Sequence, residues 1–374
     1  MSQESITGIE VAGFADHHTH LLKAAAGMPM PWQGTTVRDF HLRVQREGTT
    51  PMDIADPPSP HPPGELAEHL RAGLAMAARA GLVEVTEMGM RDWSYLDALS
   101  AAAEEPLPAR LRIYLASGLA ESVSDSELDA RRADAGPWIS LDGIKFYADG
   151  WLVPRTCAVC QDFSDTGDNG LLFTSPPTLA RRIERFIAGG WRIATHAIGD
   201  LGVQTVLDAY ELAWGKDRQA MAAAMPRIEH ASMLSGEVMS RMAELGVWAC
   251  LQPSFAVTDA GHIGPALGAG RAEIAYPWAR LITSGVQILA GTDFPIEVIE
   301  PLVGVARLVH GRSERTGFTT EDAAPERSRV PVDVAMAMYS DPAAGRTILS
   351  ADPVSSASID KIEVSSTKPV PFQR

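Results

Sequence analysis

Two histidines one residue apart, His18 and His20, close the segment Ala15-Asp-His-His-Thr-His20 near the start of the chain. Side chains at i and i+2 of a strand share a face, so the two imidazoles can point together. Two imidazoles on one face make half of a metal site, and neutral ring nitrogens suit Zn²⁺. His-x-His occurs often by chance, so the pair needs company. It has three companions: His196 ends Arg-Ile-Ala-Thr-His, His230 ends Arg-Ile-Glu-His, and Asp293 ends Ile-Leu-Ala-Gly-Thr-Asp. Any one of these is as readily a hydrogen-bonded core histidine or a helix-capping aspartate. All five at the carboxyl ends of apolar runs would converge on one rim. A divalent metal held there, most simply zinc as one or two ions, lowers the pKa of water to about 7 and polarises a carbonyl. Asp293 can then accept the water proton and deliver it to a departing amine, a general acid–base role.

The elements that must carry these residues alternate along the chain. Candidate strands are Ile9–His18, Leu82–Glu87, Leu111–Ser117, Gly143–Tyr147, Arg192–His196, Arg227–His230, Val247–Leu251 and Val286–Thr292. Amphipathic stretches separate them: Glu65–Ala80, Ser94–Glu104, a weak one near Ser126–Ala133, Leu179–Ala188, Val203–Trp214, Gly236–Leu245, Tyr276–Ser284 and Pro301–His310. Several open on a proline or a short polar residue and stop just before Gly81, Gly189, Gly246 or Gly285, as helix ends do. Strand alternating with helix implies a parallel sheet covered by helices. Eight strands predict an α/β fold of the (β/α)₈ barrel type, with the barrel over residues 9–311 and residues 312–374 as an extension packing on it. Two segments are long for a compact fold: Gly48–Gly64, with six prolines, and Trp151–Pro177, rich in Asp, Gly, Ser and Thr. Both would emerge where barrels place their active sites. In the polar tail, Ile359–Val364 is a candidate further strand.

The balance of 45% hydrophobic and 21% charged residues suits an ordinary globular core. A formal net charge of −15 argues against nucleic acid or an anionic membrane as partner, since both need a basic face. The expected partner is a small-molecule substrate, and a homo-oligomer is compatible with everything read here. Three cysteines (Cys157, Cys160, Cys250) make no disulfide framework, and with no apolar leader or spanning run the expected compartment is the cytoplasm.

Six stretches together resemble the amidohydrolase superfamily, within it amidohydrolase family 3. They are Gly13-Phe-Ala-Asp-His-His-Thr-His20, Asp142-Gly-Ile-Lys-Phe-Tyr-Ala-Asp-Gly150, Thr195-His-Ala-Ile-Gly-Asp200, Arg227-Ile-Glu-His230, Gln252-Pro253 and Gly291-Thr-Asp-Phe-Pro295. The resemblance implies that His18, His20, His196 and His230 are metal ligands, and that Asp293 is both ligand and proton shuttle. It also implies that Lys145 bridges two ions. A lysine ammonium cannot bind a cation, so Lys145 would have to be carboxylated. Against the family pattern, the residues before the barrel are few, the insertion after His-x-His is reduced to the proline-rich loop, and the usual closing segment is replaced by a polar tail. A reduced or absent β-sandwich is therefore expected.

The implied activity is hydrolysis of a carbon–nitrogen bond other than a peptide bond, in an amide, formamide or related small molecule. Deamination, lactone opening or decarboxylation on the same barrel, or a barrel that only binds a metal or a small ligand without catalysis, remain open at this point. Tyr147 and Arg155, near the same rim, are candidates to hold a substrate oxygen. Glu87 and Asp16 are candidate supporting acids, Asp16 by orienting His18. Cys157 and Cys160 read as ordinary thiols. His17 has the wrong parity to face inward, and His41, His61, His69, His262 and His310 read as surface or loop residues.

Overall fold

In the computed structural model, which describes residues 8–101, 106–314, 323–356 and 359–373, the apolar runs form a barrel. Its eight strands are β2 (Phe14–Thr19), β3 (Leu82–Met90), β4 (Arg110–Ala116), β5 (Ile139–Tyr147), β6 (Arg192–Ala197), β7 (Arg227–His230), β8 (Trp248–Leu251) and β9 (Ile288–Ala290), preceded by a short β1 (Ile9–Ala12). β2 to β9 pair in sequence order, every pair parallel. All nine residues of β3 are buried, as expected of a parallel strand covered on both faces. The ring is nearly closed, and what joins its two ends lies at the rim. Asp293 N donates to His18 O at 2.7 Å and His20 N donates to Phe294 O at 2.7 Å. The barrel is thus fastened at the residues singled out for metal binding.

Helices cover the strands where expected. Residues Pro63–Arg79 form one, with proline in its first turn. The turn after it needs Gly81 at φ +103°, a conformation other residues avoid. Between the third and fourth barrel strands, Asp125–Asp134 forms the helix expected near Ser126–Ala133, with the Ser124 hydroxyl accepting from Glu127 N. The helix expected over Ser94–Glu104 is Trp93–Ala101, and residues 102–105 lie outside the described set.

The structure differs from the sequence reading at three places. The expected strand Ile9–His18 is two strands, because the backbone crowds at Gly13, where a Cβ would lie 2.3 Å from Val83. β1 leaves the barrel and pairs antiparallel with β10 (Gly345–Leu349), which pairs antiparallel with β11 (Val364–Pro369). The small sheet is therefore three-stranded and built from both ends of the chain, and Ile359–Lys361 is a 3₁₀ turn ahead of its last strand. Finally, the segment after His20 carries more than a proline-rich loop. It contains a helix at Val37–Arg46, capped by Thr36 and burying Phe40, His41 and Val44. Among the described residues no helix is long and apolar enough to cross a membrane.

Candidate metal centre

Five of the six metal-ligand candidates are at least nine-tenths buried, and the rim of the barrel brings all six to one chamber: His18, His20, Lys145, His196, His230 and Asp293 line it together. Within this set, His18, His20 and Asp293 each bring a ligand atom within 4.8 Å of the others. Asp293 Oδ1 stands 3.1 Å from His20 Nε2 and 3.4 Å from His18 Nε2. The His18 ring centroid is 4.9 Å from that of His230, which is 4.5 Å from that of His196. The aspartate and one of the histidines sit on strained backbone, Asp293 at φ +58° and His230 at φ +73°. Non-glycine residues held there are characteristic of functional positions, where the surrounding structure enforces the geometry.

Two of the rings, His18 and His196, are fixed by hydrogen bonds. His18 Nδ1 donates to Glu229 Oε2 at 2.5 Å, which turns Nε2 toward Asp293 and His20. Glu229 also pairs with Arg227 at 2.5 Å. His196 Nε2 donates to Gly150 O at 3.0 Å, leaving Nδ1 as its acceptor. Such bonds set the tautomer of a ligating imidazole. The Asp16 carboxylate bonds to the His18 backbone and not to its ring. It accepts from His18 N at 3.1 Å, Thr292 N at 3.0 Å and the Thr292 hydroxyl at 2.6 Å, so it holds the backbones of the two end strands together. Gly291 makes this approach feasible, since a Cβ there would lie 2.5 Å from His18 N. Asp149 performs a similar task across the chamber. It accepts from the backbone N–H of Ala158, Ile198 and Gly199, tying the loop after β5 to the end of β6.

The electrostatics favour neutral ligands. Burial first, then the Lys145 ammonium and neighbouring imidazoles, holds His18 well below its ordinary pKa. His196 and His230 are lowered in the same way. Burial brings Lys145 down to about 8, against the opposing pull of Glu229 and Asp293. Lys145 Nζ and His230 Nδ1 are buried without a hydrogen-bond partner among the described residues. A native protein rarely leaves such atoms unpaired without reason.

Of the two substrate-binding candidates, the structure brings one to the chamber. Tyr147 lines it, its ring stacked 3.7 Å from His196 and its hydroxyl accepting from Trp151 Nε1 at 2.5 Å. Arg155 lies elsewhere. Its guanidinium is taken up by Asp165 at 2.7 Å and by the carbonyls of Leu152 and Val153, so it braces its own loop. His41, read as a surface or loop residue, is in fact buried on the chamber wall, bonded to Thr156 Oγ1 at 2.9 Å. It arrives on the unexpected helix Val37–Arg46, which also brings Phe40. Cys157 and Cys250 are buried free thiols and Cys160 an exposed one.

Glu87 also lines the chamber and accepts from Leu22 N at 2.8 Å. Burial pushes its carboxyl from the usual 4.5 up to about 8. The native state then holds this proton where the unfolded chain releases it, so stability falls as pH rises from 4.5 to about 8 and is flat above. Glu87→Gln keeps an acceptor for Leu22 and removes the titration. The variant's unfolding free energy relative to wild type is expected to climb between pH 5 and 8. Denaturant melts giving a pH-independent difference would contradict this.

The comparisons with known proteins agree with the fold. A family model described as "Amidohydrolase family" matches residues 42–350, beginning after His18 and His20. The protein YtcJ of Bacillus subtilis (strain 168) is 32% identical over 214 residues, covering 56% of this chain and 39% of YtcJ. The chain thus matches well under half the length of that relative. Among solved structures, an uncharacterized metal-dependent hydrolase from Pyrococcus furiosus superposes with TM-score 0.67 at 20% identity, covering 93% of this chain and 88% of that one. Atrazine chlorohydrolase TrzN from Arthrobacter aurescens TC1, complexed with zinc, superposes with TM-score 0.54 at 14% identity, covering 98% and 85%.

Proposed function

Because the chain belongs to the amidohydrolase family, we propose that it hydrolyses a carbon–nitrogen bond of a small amide, formamide or related molecule at a divalent metal centre. The observation that carries the reading is the cluster of His18 Nε2, His20 Nε2 and Asp293 Oδ1, with His18 held from behind by Glu229. The donor set fits a metal. Neutral imidazoles and a carboxylate suit Zn²⁺ first among the first-row ions. The Lys145 amine and His230 Nδ1, buried without a hydrogen bond among the described residues, would be the atoms to hold a second ion. Lys145 would join as its carbamate, formed when the neutral amine adds carbon dioxide and loses a proton. When bound, the metal supplies Lewis acidity at the scissile carbonyl and makes hydroxide available near neutral pH.

The remaining work falls to the chain. Asp293 receives the proton of the attacking water and delivers it to the departing nitrogen, a poor leaving group until protonated. Glu229 keeps the His18 tautomer fixed throughout. Tyr147, stacked on His196, presents a hydroxyl at the wall where a substrate oxygen would lie. The test is a panel of N-acyl, N-formyl and hydrazide compounds assayed before and after chelation and after zinc is returned. Turnover of an amide that chelation abolishes and zinc restores is expected. Turnover indifferent to chelation would overturn the reading.

A further inference from the structure

The chamber around the metal-binding side chains admits only about 60 Å³. Beside it lies a second cavity of about 410 Å³. The two share a wall made by Trp151, His230, Asp293 and Ile296. The chamber is the smaller space, and the larger one adjoins it at the residues beside which the bond would be cleaved. An apolar cavity of ~150 Å³ already takes benzene, and the larger space falls in the ordinary range of ligand pockets.

The character of this cavity follows from its lining. Leu152, Val153 and Phe255 face it beside Trp151 and Ile296. Val153 and Ile296 are 48% and 37% exposed, large apolar side chains left open to water at the mouth of a cleft. Apolar surface left open beside a reactive centre marks binding more than folding. Trp151 is fixed in place by its bond to the Tyr147 hydroxyl and by the edge of Trp32, 4.8 Å away between centroids.

Charge narrows the occupant further. Lys23 and Arg91 line the chamber, whereas the cavity has no lysine or arginine among its described lining residues. Besides Asp293, its acids are Asp259 and Glu297. Asp259 accepts from the Tyr276 hydroxyl at 2.5 Å, and Glu297 pairs with the buried Arg307 at 3.2 Å. Both are therefore satisfied by residues of the fold and call for no cation from a ligand. A carboxylate placed there would lie beside Asp259 and Glu297 with no described lysine or arginine lining the space, and the arginines behind the wall, Arg38 and Arg155, are already paired with Asp168 and Asp165.

We infer that this cavity is the specificity pocket of the enzyme, taking an uncharged apolar group of aromatic-ring size attached next to the scissile bond, and rejecting an anionic one. The inference rests on the reading that a carbon–nitrogen bond is cleaved beside Asp293. Three probes test it: N-methylformamide, N-benzylformamide and N-(4-carboxybenzyl)formamide. The benzyl compound is expected to exceed the methyl compound in kcat/KM by at least about tenfold, and the carboxylate to lose that gain. Val153→Asp, at an exposed rim position, is expected to bring the benzyl-to-methyl ratio toward one. Hydrolysis of both amides with a wild-type ratio near one overturns the pocket and leaves hydrolysis standing. Should none of the three be cleaved, the cleavage reading fails on these probes, and saturation-transfer NMR with N-benzylformamide decides the pocket separately. Binding weakened in Val153→Asp supports it, and absent or equal binding in the two proteins overturns it.

Discussion

Replacing Asp293 by Asn is expected to lower kcat by about 10²- to 10⁴-fold on any amide the wild type cleaves, the range general acid–base catalysis supplies. The substitution is a clean probe because the backbone can keep its shape. Asp293 sits at φ +58°, a conformation asparagine also tolerates, and the Asp293 N–H bond to His18 O that fastens the barrel does not involve the side chain. What changes is the oxygen 3.1 Å from His20 and 3.4 Å from His18, which loses its charge and its capacity to carry a proton. Much of the metal should stay, since the four histidines and Lys145 remain. Thermal melts and metal analysis establish that the variant is folded and loaded. A folded, loaded Asp293→Asn protein working at near-native rate would remove Asp293 from the proton-shuttle role.

The largest structural effect is expected at Glu229. This carboxylate is fully buried between His18 Nδ1 and Arg227, each at 2.5 Å. Its loss in Glu229→Ala leaves the Arg227 guanidinium inside the barrel without a countercharge, beside the His17 carbonyl, the Met88 sulfur at 3.8 Å and the face of Tyr114, 4.6 Å away. Breaking a buried pair by deleting one partner costs about 3–5 kcal/mol. His18 also loses the acceptor that sets its tautomer, so metal affinity should fall by about 10- to 100-fold. Denaturant unfolding reads the first effect and chelator competition the second. Glu229→Gln, which preserves volume and an acceptor for His18, should recover part of the metal affinity while still leaving Arg227 without a countercharge. Equal stability and equal chelator resistance in wild type and Glu229→Ala would contradict the assigned role.

Glu229 also shows where sequence reasoning ran out. The ligand candidates were legible because each follows an apolar run, and a parallel barrel delivers the ends of such runs to one rim. Strand parity then says that neighbours Glu229 and His230 face opposite ways. Both nevertheless reach His18, because His230 leaves strand geometry at φ +73°. Parity fails where the backbone turns, and that strain is invisible in a list of residue types. The same holds for Asp16, whose spacing from His18 suggested the ring and whose carboxylate in fact takes the backbone N–H. Arg155 looked available for substrate because its partner, Asp165, is ten residues away across a loop of no readable pattern.

Long-range pairing was the other barrier. The small sheet joins Ile9 to Leu349, and no local signal links those segments. The apolar cavity was equally hidden, because Val37, Trp151, Phe255 and Ile296 come from four separate connections. Their convergence depends on the barrel closing, not on any motif. The barrel itself was readable in advance, since alternation of strand and helix is a local property repeated eight times.

The most direct test of the account is the metal content of the purified chain, measured by plasma emission after growth and after reconstitution with zinc. At least one equivalent per chain is expected, two if carboxylated Lys145 holds a second ion, and sharply less in a His18→Ala, His20→Ala double variant. A folded wild-type protein that takes up no metal under either condition would contradict it.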